Sequence, residues 1–298
     1  MSDRDWFRSR TWDEAARTRF DTKIRRARKG FSRAQYFWVQ AGSLFYARPT
    51  EPALRRAAIE LLERALVESG AEAGDRTTLL DHLGRFQLIA GDRAAGIRTL
   101  EAVLAGARSF HAHDPPTEIV LARRRLEDGD RAEAARLFDV AYAQMFAPPT
   151  SYAELAAREI VDVQGAPYRD PEDAAEAIVV YYHAEDEHPA VDEVYAGDLG
   201  ALAALDRIYA TEVDLVRTLH PRTAYKRDFV ETQFLPELGA FVGRALVKAG
   251  GGRWRAAAPL MQSRVVNGAR ELDPFRIAYD CVYYELPLAA LAAEALAR

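Results

Sequence analysis

A single cysteine, Cys281, is all the chain carries in 298 residues. An intrachain disulfide is therefore excluded, and so is a zinc cage built on several cysteines. No run approaches the ~18 uninterrupted apolar residues that a membrane-spanning helix needs. The opening Met1-Ser2-Asp3-Arg4-Asp5 lacks the apolar stretch of a secretory signal, so a reducing, cytoplasmic location and no membrane partner are expected. Gly-x-Ser-x-Gly, His-Glu-x-x-His and Walker patterns are missing throughout, which removes the familiar signatures of esterases, zinc peptidases and phosphate-binding loops.

What is there suits a folded chain: 49% hydrophobic and 29% charged residues are enough for a real core. The length fits two units. The net charge of −5 is unevenly spread. Residues 1–35 hold eleven Lys or Arg against five Asp or Glu, whereas Asp170 to Asp198 holds ten acidic side chains and no Lys or Arg. Opposite charges of this kind can meet within one molecule or between two copies.

The chain repeats itself at an offset of 38 residues. Ala58, Gly96 and Ala134 align, as do Leu62, Leu100 and Phe138, then Ala65, Val103 and Ala141, then Leu66, Leu104 and Tyr142. Steps of four, three and one put these positions on one face of a helix, the small residue admitting a neighbour and the large ones filling the space beside it. Gly91-Asp92-Arg93-Ala94 recurs identically as Gly129-Asp130-Arg131-Ala132. Gly can close one helix in the left-handed conformation and Asp can cap the next, so the unit reads helix, tight turn, helix.

On these residues the chain resembles the tetratricopeptide repeat family over roughly residues 32–146. Leu83-Gly84, Gly91-Asp92, Gly96, Leu100 and Val103 follow that family's order of Leu-Gly in the first helix, Gly at the turn and small-large-small in the second. Gln87 stands where an aromatic is usual, Gly96 where Ala is usual, and the unit exceeds the usual ~34 residues. The resemblance implies a stack of helical hairpins with a groove that holds a protein partner. Trp12, Ala16, Phe20 and Ile24 share one face of a leading helix that runs to Arg28 and serves as the N-terminal cap.

Pro148-Pro149-Thr150-Ser151 marks the end of the repeats, giving expected divisions at 1–147, 148–197 (an acidic connection) and 198–298. A helix is predicted over Tyr152 to Val163, ended by Gly165-Ala166-Pro167. Ala177 to Tyr182 is open to either helix or strand, being β-branched and aromatic behind a helix-like opening. Helices are predicted from Asp198 to Leu219 and from Arg222 to Ala249, the latter stopped by Gly250-Gly251-Gly252. Asn267-Gly268 predicts a hairpin, and Asp273-Pro274 a helix start. The fold class is thus mainly α: a helical-hairpin solenoid of the tetratricopeptide kind, followed by a small α+β unit. That unit resembles bacterial domains in which a helix ends at Gly-Gly-x-Trp before a hairpin, a likeness that implies no activity.

The expected function is that of a protein-interaction adaptor. Lys23, Arg25, Arg26, Arg28, Arg85, Gln87 and Arg123 are the candidate partner-binding residues, with no cofactor, no metal and no catalytic residue assigned. An enzyme or small-ligand site in the C-terminal unit is the first alternative, with Tyr225, Arg227, Arg253 and Asp273 as its polar candidates. Nucleic acid is the second, because Arg33, Tyr36, Phe37 and Trp38 follow the basic run and could pair phosphate contacts with base stacking. His183 with His188, and His111 with His113, lie among carboxylates but at no zinc-motif spacing. Gly250 to Arg253 follows a helix rather than opening one, the wrong polarity for a phosphate loop. Cys281 reads as a buried structural thiol.

Overall fold

The computed structural model describes residues 6–47, 51–106, 115–144, 150–162, 165–168, 170–183, 191–211 and 228–298. Among them are fourteen α-helices and one three-stranded antiparallel sheet. The chain separates into two compact units, Met1–Leu137 and Phe138–Arg298.

The first unit is helical: α1 (Glu14–Arg26), α2 (Phe31–Ala47), α3 (Pro52–Glu68), α4 (Ala73–Ile89), α5 (Arg93–Ala105), α6 (Thr117–Glu127) and the start of α7 (Arg131–Gln144). The 38-residue offset reappears in backbone hydrogen bonds. Asp92 N–H donates to Gln87 O (2.9 Å) and Gly91 N–H to Leu88 O (3.1 Å), and 38 residues on, Asp130 donates to Arg125 O (2.8 Å) and Gly129 to Leu126 O (3.0 Å). This pair of bonds closes a helix through a left-handed residue, and Gly91 and Gly129 supply it with φ of 94° and 79°. Asp92 and Asp130 then cap α5 and α7 by accepting from Ala95 N–H and Glu133 N–H.

Ala58, Gly96 and Ala134 are buried, as are Leu62, Leu100 and Phe138, and then Ala65, Val103 and Ala141. The fourth set departs from expectation: Tyr142 is buried, Leu66 half-buried and Leu104 exposed. Gly96 has a reason to lack a side chain. A Cβ there would come within 2.6 Å of Leu88 and 2.9 Å of the Gly84 carbonyl, and one on Gly84 within 2.7 Å of Leu100. The two glycines face each other where α4 crosses α5, so an Ala at either position forces the helices apart.

The second unit is built on α12 (Leu235–Gly250), which is buried at every position from Leu235 to Gly243. A π-helical turn, Val230–Phe234, leads into it. Around α12 pack α9 (Pro171–His183), α11 (Leu199–Thr211), α13 (Pro274–Tyr284), α14 (Leu288–Ala297) and the sheet of β1 (Arg253–Arg255), β2 (Arg264–Asn267) and β3 (Arg270–Leu272). The two short helices are α8 (Tyr152–Ala156) and α10 (Val191–Val194).

Two expectations are corrected here and one open reading is settled. The helix foreseen over Tyr152 to Val163 stops at Ala156, and the chain then folds back through a bridge between Val161 and Pro167, with Gly165 at φ 84°. Segment 177–182 is helical: Ala174, Ala175 and Ile178 are buried at helical spacing, so packing overrides β-propensity. The hairpin loop is Gly268-Ala269 rather than Asn267-Gly268. Asn267 pairs with Arg270 inside the ladder, its side chain reaches Gly250 O, and Gly268 takes the positive φ of 61°. Residues 212–227, which hold parts of both long predicted helices, lie outside the described residues.

The N-terminus of α14 follows Pro287, whose side chain accepts no hydrogen bond. Asp206 of α11 does this work from a distance, accepting from Leu288 N–H (2.7 Å) and Ala289 N–H (3.0 Å).

Candidate functional site

The basic end of the first unit is a built feature. Phe20 and Ile24 of α1 are buried, which turns Arg25, Arg26, Arg28 and Lys29 outward. Arg33 fixes the turn between α1 and α2: it donates to Ala27 O (2.6 Å), Arg25 O (3.3 Å) and Glu68 O (3.4 Å), while Gly30 N–H donates to Ser69 O (2.8 Å). Arg33 is thus consumed by backbone carbonyls. Arg25, Arg26, Arg28 and Lys29, by contrast, form no ion pair among the described residues. Part of their placement answers the helix dipole, whose negative end lies here.

The aromatic residues behind this run are occupied. Phe37 is fully buried, Tyr36 packs on Trp6 and Phe7 with ring centroids 4.9 and 4.8 Å apart, and Trp38 stacks on His82 at 5.1 Å. Burial closes Phe37 to a base, and Tyr36 and Trp38, both half-buried, already carry ring partners.

The other candidates are dispersed. Gln87 is buried and accepts from Thr99 Oγ1 (2.8 Å) across the α4–α5 crossing. Arg85, two residues away, points to a different neighbour, pairing with the fully buried Asp81 (2.5 Å) and donating to Pro115 O (2.8 Å). Arg123 lies half-buried on α6 and Lys23 half-buried on α1. Only Lys23, Arg25, Arg26 and Arg28 fall on one short stretch of surface.

In the second unit Glu231, invisible to motif searches, is the centre of the polar network. It is buried on the π-turn and accepts four hydrogen bonds: from Thr150 N–H (3.1 Å) and Tyr283 OH (3.1 Å) on one oxygen, and from Thr150 Oγ1 (2.6 Å) and Arg158 (3.3 Å) on the other. A carboxylate has about four acceptor positions, so Glu231 is saturated and serves as a pin for segment 150–158. The backbone N–H and the guanidinium cannot become acceptors, and they sit on opposite oxygens. Either orientation of the amide in Glu231→Gln therefore faces an obligate donor, and urea denaturation should show a loss of about 2 kcal/mol. A pattern did exist for finding it: Glu231, Phe234, Leu235 and Leu238 share one apolar face.

Asp273 is similarly engaged, capping Arg276 N–H (3.0 Å), accepting from Tyr152 OH (2.6 Å) and pairing with Arg264 (2.9 Å). Burial pushes the Tyr152 hydroxyl up, and that of Tyr279 to about 12, so both stay protonated donors. Arg253 is exposed on β1. Cys281 is half-buried as a residue, and burial of its thiol holds it well above the usual range, away from the nucleophilic thiolate. Tyr225, Arg227, His111, His113 and His188 lie outside the described residues. No three His, Cys, Asp or Glu side chains are placed to hold a metal ion among the described residues, and no described helix is long and apolar enough to cross a membrane.

No family model, no curated protein and no solved structure matches this chain.

Glu237 supplies a pH probe of the second unit. Its buried carboxyl accepts from Tyr168 OH (2.7 Å), and burial raises its pKa by more than that bond lowers it. A folded pKa above the unfolded one, about 4.3, means that its contribution is fully present below that value and is lost as pH rises through the folded pKa. Glu237→Gln keeps the acceptor without the charge. The variant should be at least as stable as wild type at pH 7.5, with its relative advantage gone at pH 4, as read by guanidinium denaturation at both.

Proposed function

We propose that the protein is an interaction adaptor whose first unit is a stack of tetratricopeptide-like hairpins that takes a protein partner, with Lys23, Arg25, Arg26 and Arg28 at the contact. The observation that carries this is that Arg25, Arg26 and Arg28 are exposed and form no ion pair among the described residues, beside a turn fixed by Arg33. Uncompensated charge on a fixed frame steers and orients an acidic partner.

A partner protein is favoured over nucleic acid because the aromatic rings beside the cations pack inward. It is favoured over the chain's own acidic stretch because much of that stretch is engaged locally. Glu172 and Glu176 pair with Arg244, Glu193 pairs with Arg207, and Asp170 and Asp198 accept from Glu172 N–H and Ala201 N–H.

The test is affinity capture from the native host with the full chain and with Arg25→Glu/Arg26→Glu/Arg28→Glu. The expected result is a recovered protein that the triple variant loses. Recovery of the same protein by both, or of RNA or DNA as the species lost on charge reversal, refutes the proposal.

A further inference from the structure

Residues 6–12 form neither helix nor strand, yet they are held on the first unit by a designed-looking set of contacts. Gln40, at the middle of α2, is fully buried. Its Nε2 donates to Ser9 O (2.8 Å) and its Oε1 accepts from Ser9 N–H (3.1 Å). One primary amide therefore satisfies both main-chain groups of a single residue, as a neighbouring strand would. It reads peptide backbone and no side chain.

Aromatic contacts lie on either side of this clamp. Trp6 packs on Phe20 (5.5 Å) and Tyr36 (4.9 Å), Phe7 on Tyr36 (4.8 Å), and Trp12 on Phe20 (5.6 Å). The anchors thus fall three and two residues before the clamped position and three after it. Backbone capture in the middle and apolar anchors at the ends are the elements of a peptide-binding site.

We propose that this surface of α1 and α2 is a peptide-binding groove, occupied in cis by the chain's own residues 6–12, which act as a displaceable strap. Its ligand is a partner segment with aromatic side chains at the same spacing, turned at its first pair as Trp6-Phe7 is. The proposal rests on the adaptor reading only in taking that ligand to come from a partner protein. No variant below touches the basic turn, so the two can fail separately.

A tethered segment competes at a local concentration in the millimolar range, so a free peptide should bind weakly to the wild-type chain. Releasing the strap while leaving the groove intact should expose the site. Ser9→Pro removes the N–H that Gln40 accepts and touches no groove residue. The probe is a fluorescein-labelled peptide with the sequence of residues 6–13, followed by fluorescence anisotropy against the full chain.

The expected result is binding to Ser9→Pro at least tenfold tighter than to wild type, and a loss of at least tenfold when Gln40→Leu is added. Equal affinity for wild type and Ser9→Pro, or binding that survives Gln40→Leu, overturns the proposal. Should Ser9→Pro fail to fold, Trp6→Ala/Phe7→Ala is read by the same criteria. If neither strap variant folds, the segment is an integral part of the core, and the proposal is equally overturned.

Discussion

Replacing Gly243 by Ala should cost the second unit about 2 kcal/mol, although Ala is the better helix former by about 1 kcal/mol. A Cβ at this position would come within 2.0 and 2.1 Å of the Trp254 indole, far inside contact distance. The indole has little freedom to retreat, because its Nε1 donates to Glu172 (2.8 Å) and Glu172 is itself held by Arg244 (2.8 Å). The overpacking must therefore move β1 or α9 against α12, and such shifts cost ~1–3 kcal/mol or more. Trp254→Ala alone should cost ~3 kcal/mol, the low end for a large aromatic because Trp254 is half-buried. In the double variant the new methyl enters vacated space, so its loss should be close to that of Trp254→Ala alone rather than the sum. Hydrogen exchange over residues 235–250 reads the effect within its own unit. A Gly243→Ala chain with unchanged exchange there would show that the close crossing is not tight.

Asp81→Ala should destabilise the first unit by about 3 kcal/mol. Asp81 is fully buried, with Arg85 on one side and Thr117 Oγ1 (2.5 Å), the first residue of α6, on the other. Removing the carboxylate leaves the Arg85 charge with only the Pro115 carbonyl and partial solvent, and breaking a buried pair from one side commonly costs 3–5 kcal/mol. The figure is set at the low end because the Arg85 side chain is 16% exposed. Thr117→Val should cost nearer 1 kcal/mol, as a single hydrogen bond. Exchange rates in α4 and α6 should rise together in Asp81→Ala, because the residue holds α6 to α4. A rise confined to α4 would contradict that role.

Legibility followed the range of the interactions. The hairpins of the first unit could be read because each is a local event: Gly91-Asp92 and Gly129-Asp130 carry their own turn and cap, and positions 58, 96 and 134 carry their own period. The entry of α13 through Asp273-Pro274 was legible for the same reason. What escaped depends on partners far along the chain. Glu231 is chosen by Thr150, Arg158 and Tyr283, and Trp254 by Gly243 and Glu172. Segment 177–182 was ambiguous because its β-branched residues suit a strand, and burial against α12 decides the matter.

Among the candidate partner-binding residues the division is similar. Arg25, Arg26 and Arg28 were recognisable as a basic run and remain exposed. Arg85 and Gln87 lie within the second repeat, and their long side chains are spent inside the unit, on Asp81 and Thr99. Charge density is visible in a sequence, whereas the carbonyl or carboxylate that satisfies a charge is visible only in three dimensions. Arg33 makes the same point, since it adds to the count of positive residues and nothing to the exposed charge.

The measurement that bears most directly on the adaptor proposal is the dissociation constant of the captured partner, purified, for three chains: wild type, Arg25→Glu/Arg26→Glu/Arg28→Glu, and the control Arg253→Glu on the second unit. Each is measured at 50 and 300 mM salt. The basic turn predicts at least tenfold weakening for the triple variant, none for the control, and a smaller gap at high salt as exposed charges are screened. Equal affinity for wild type and the triple variant at low salt, or an equal loss in the control, would contradict it.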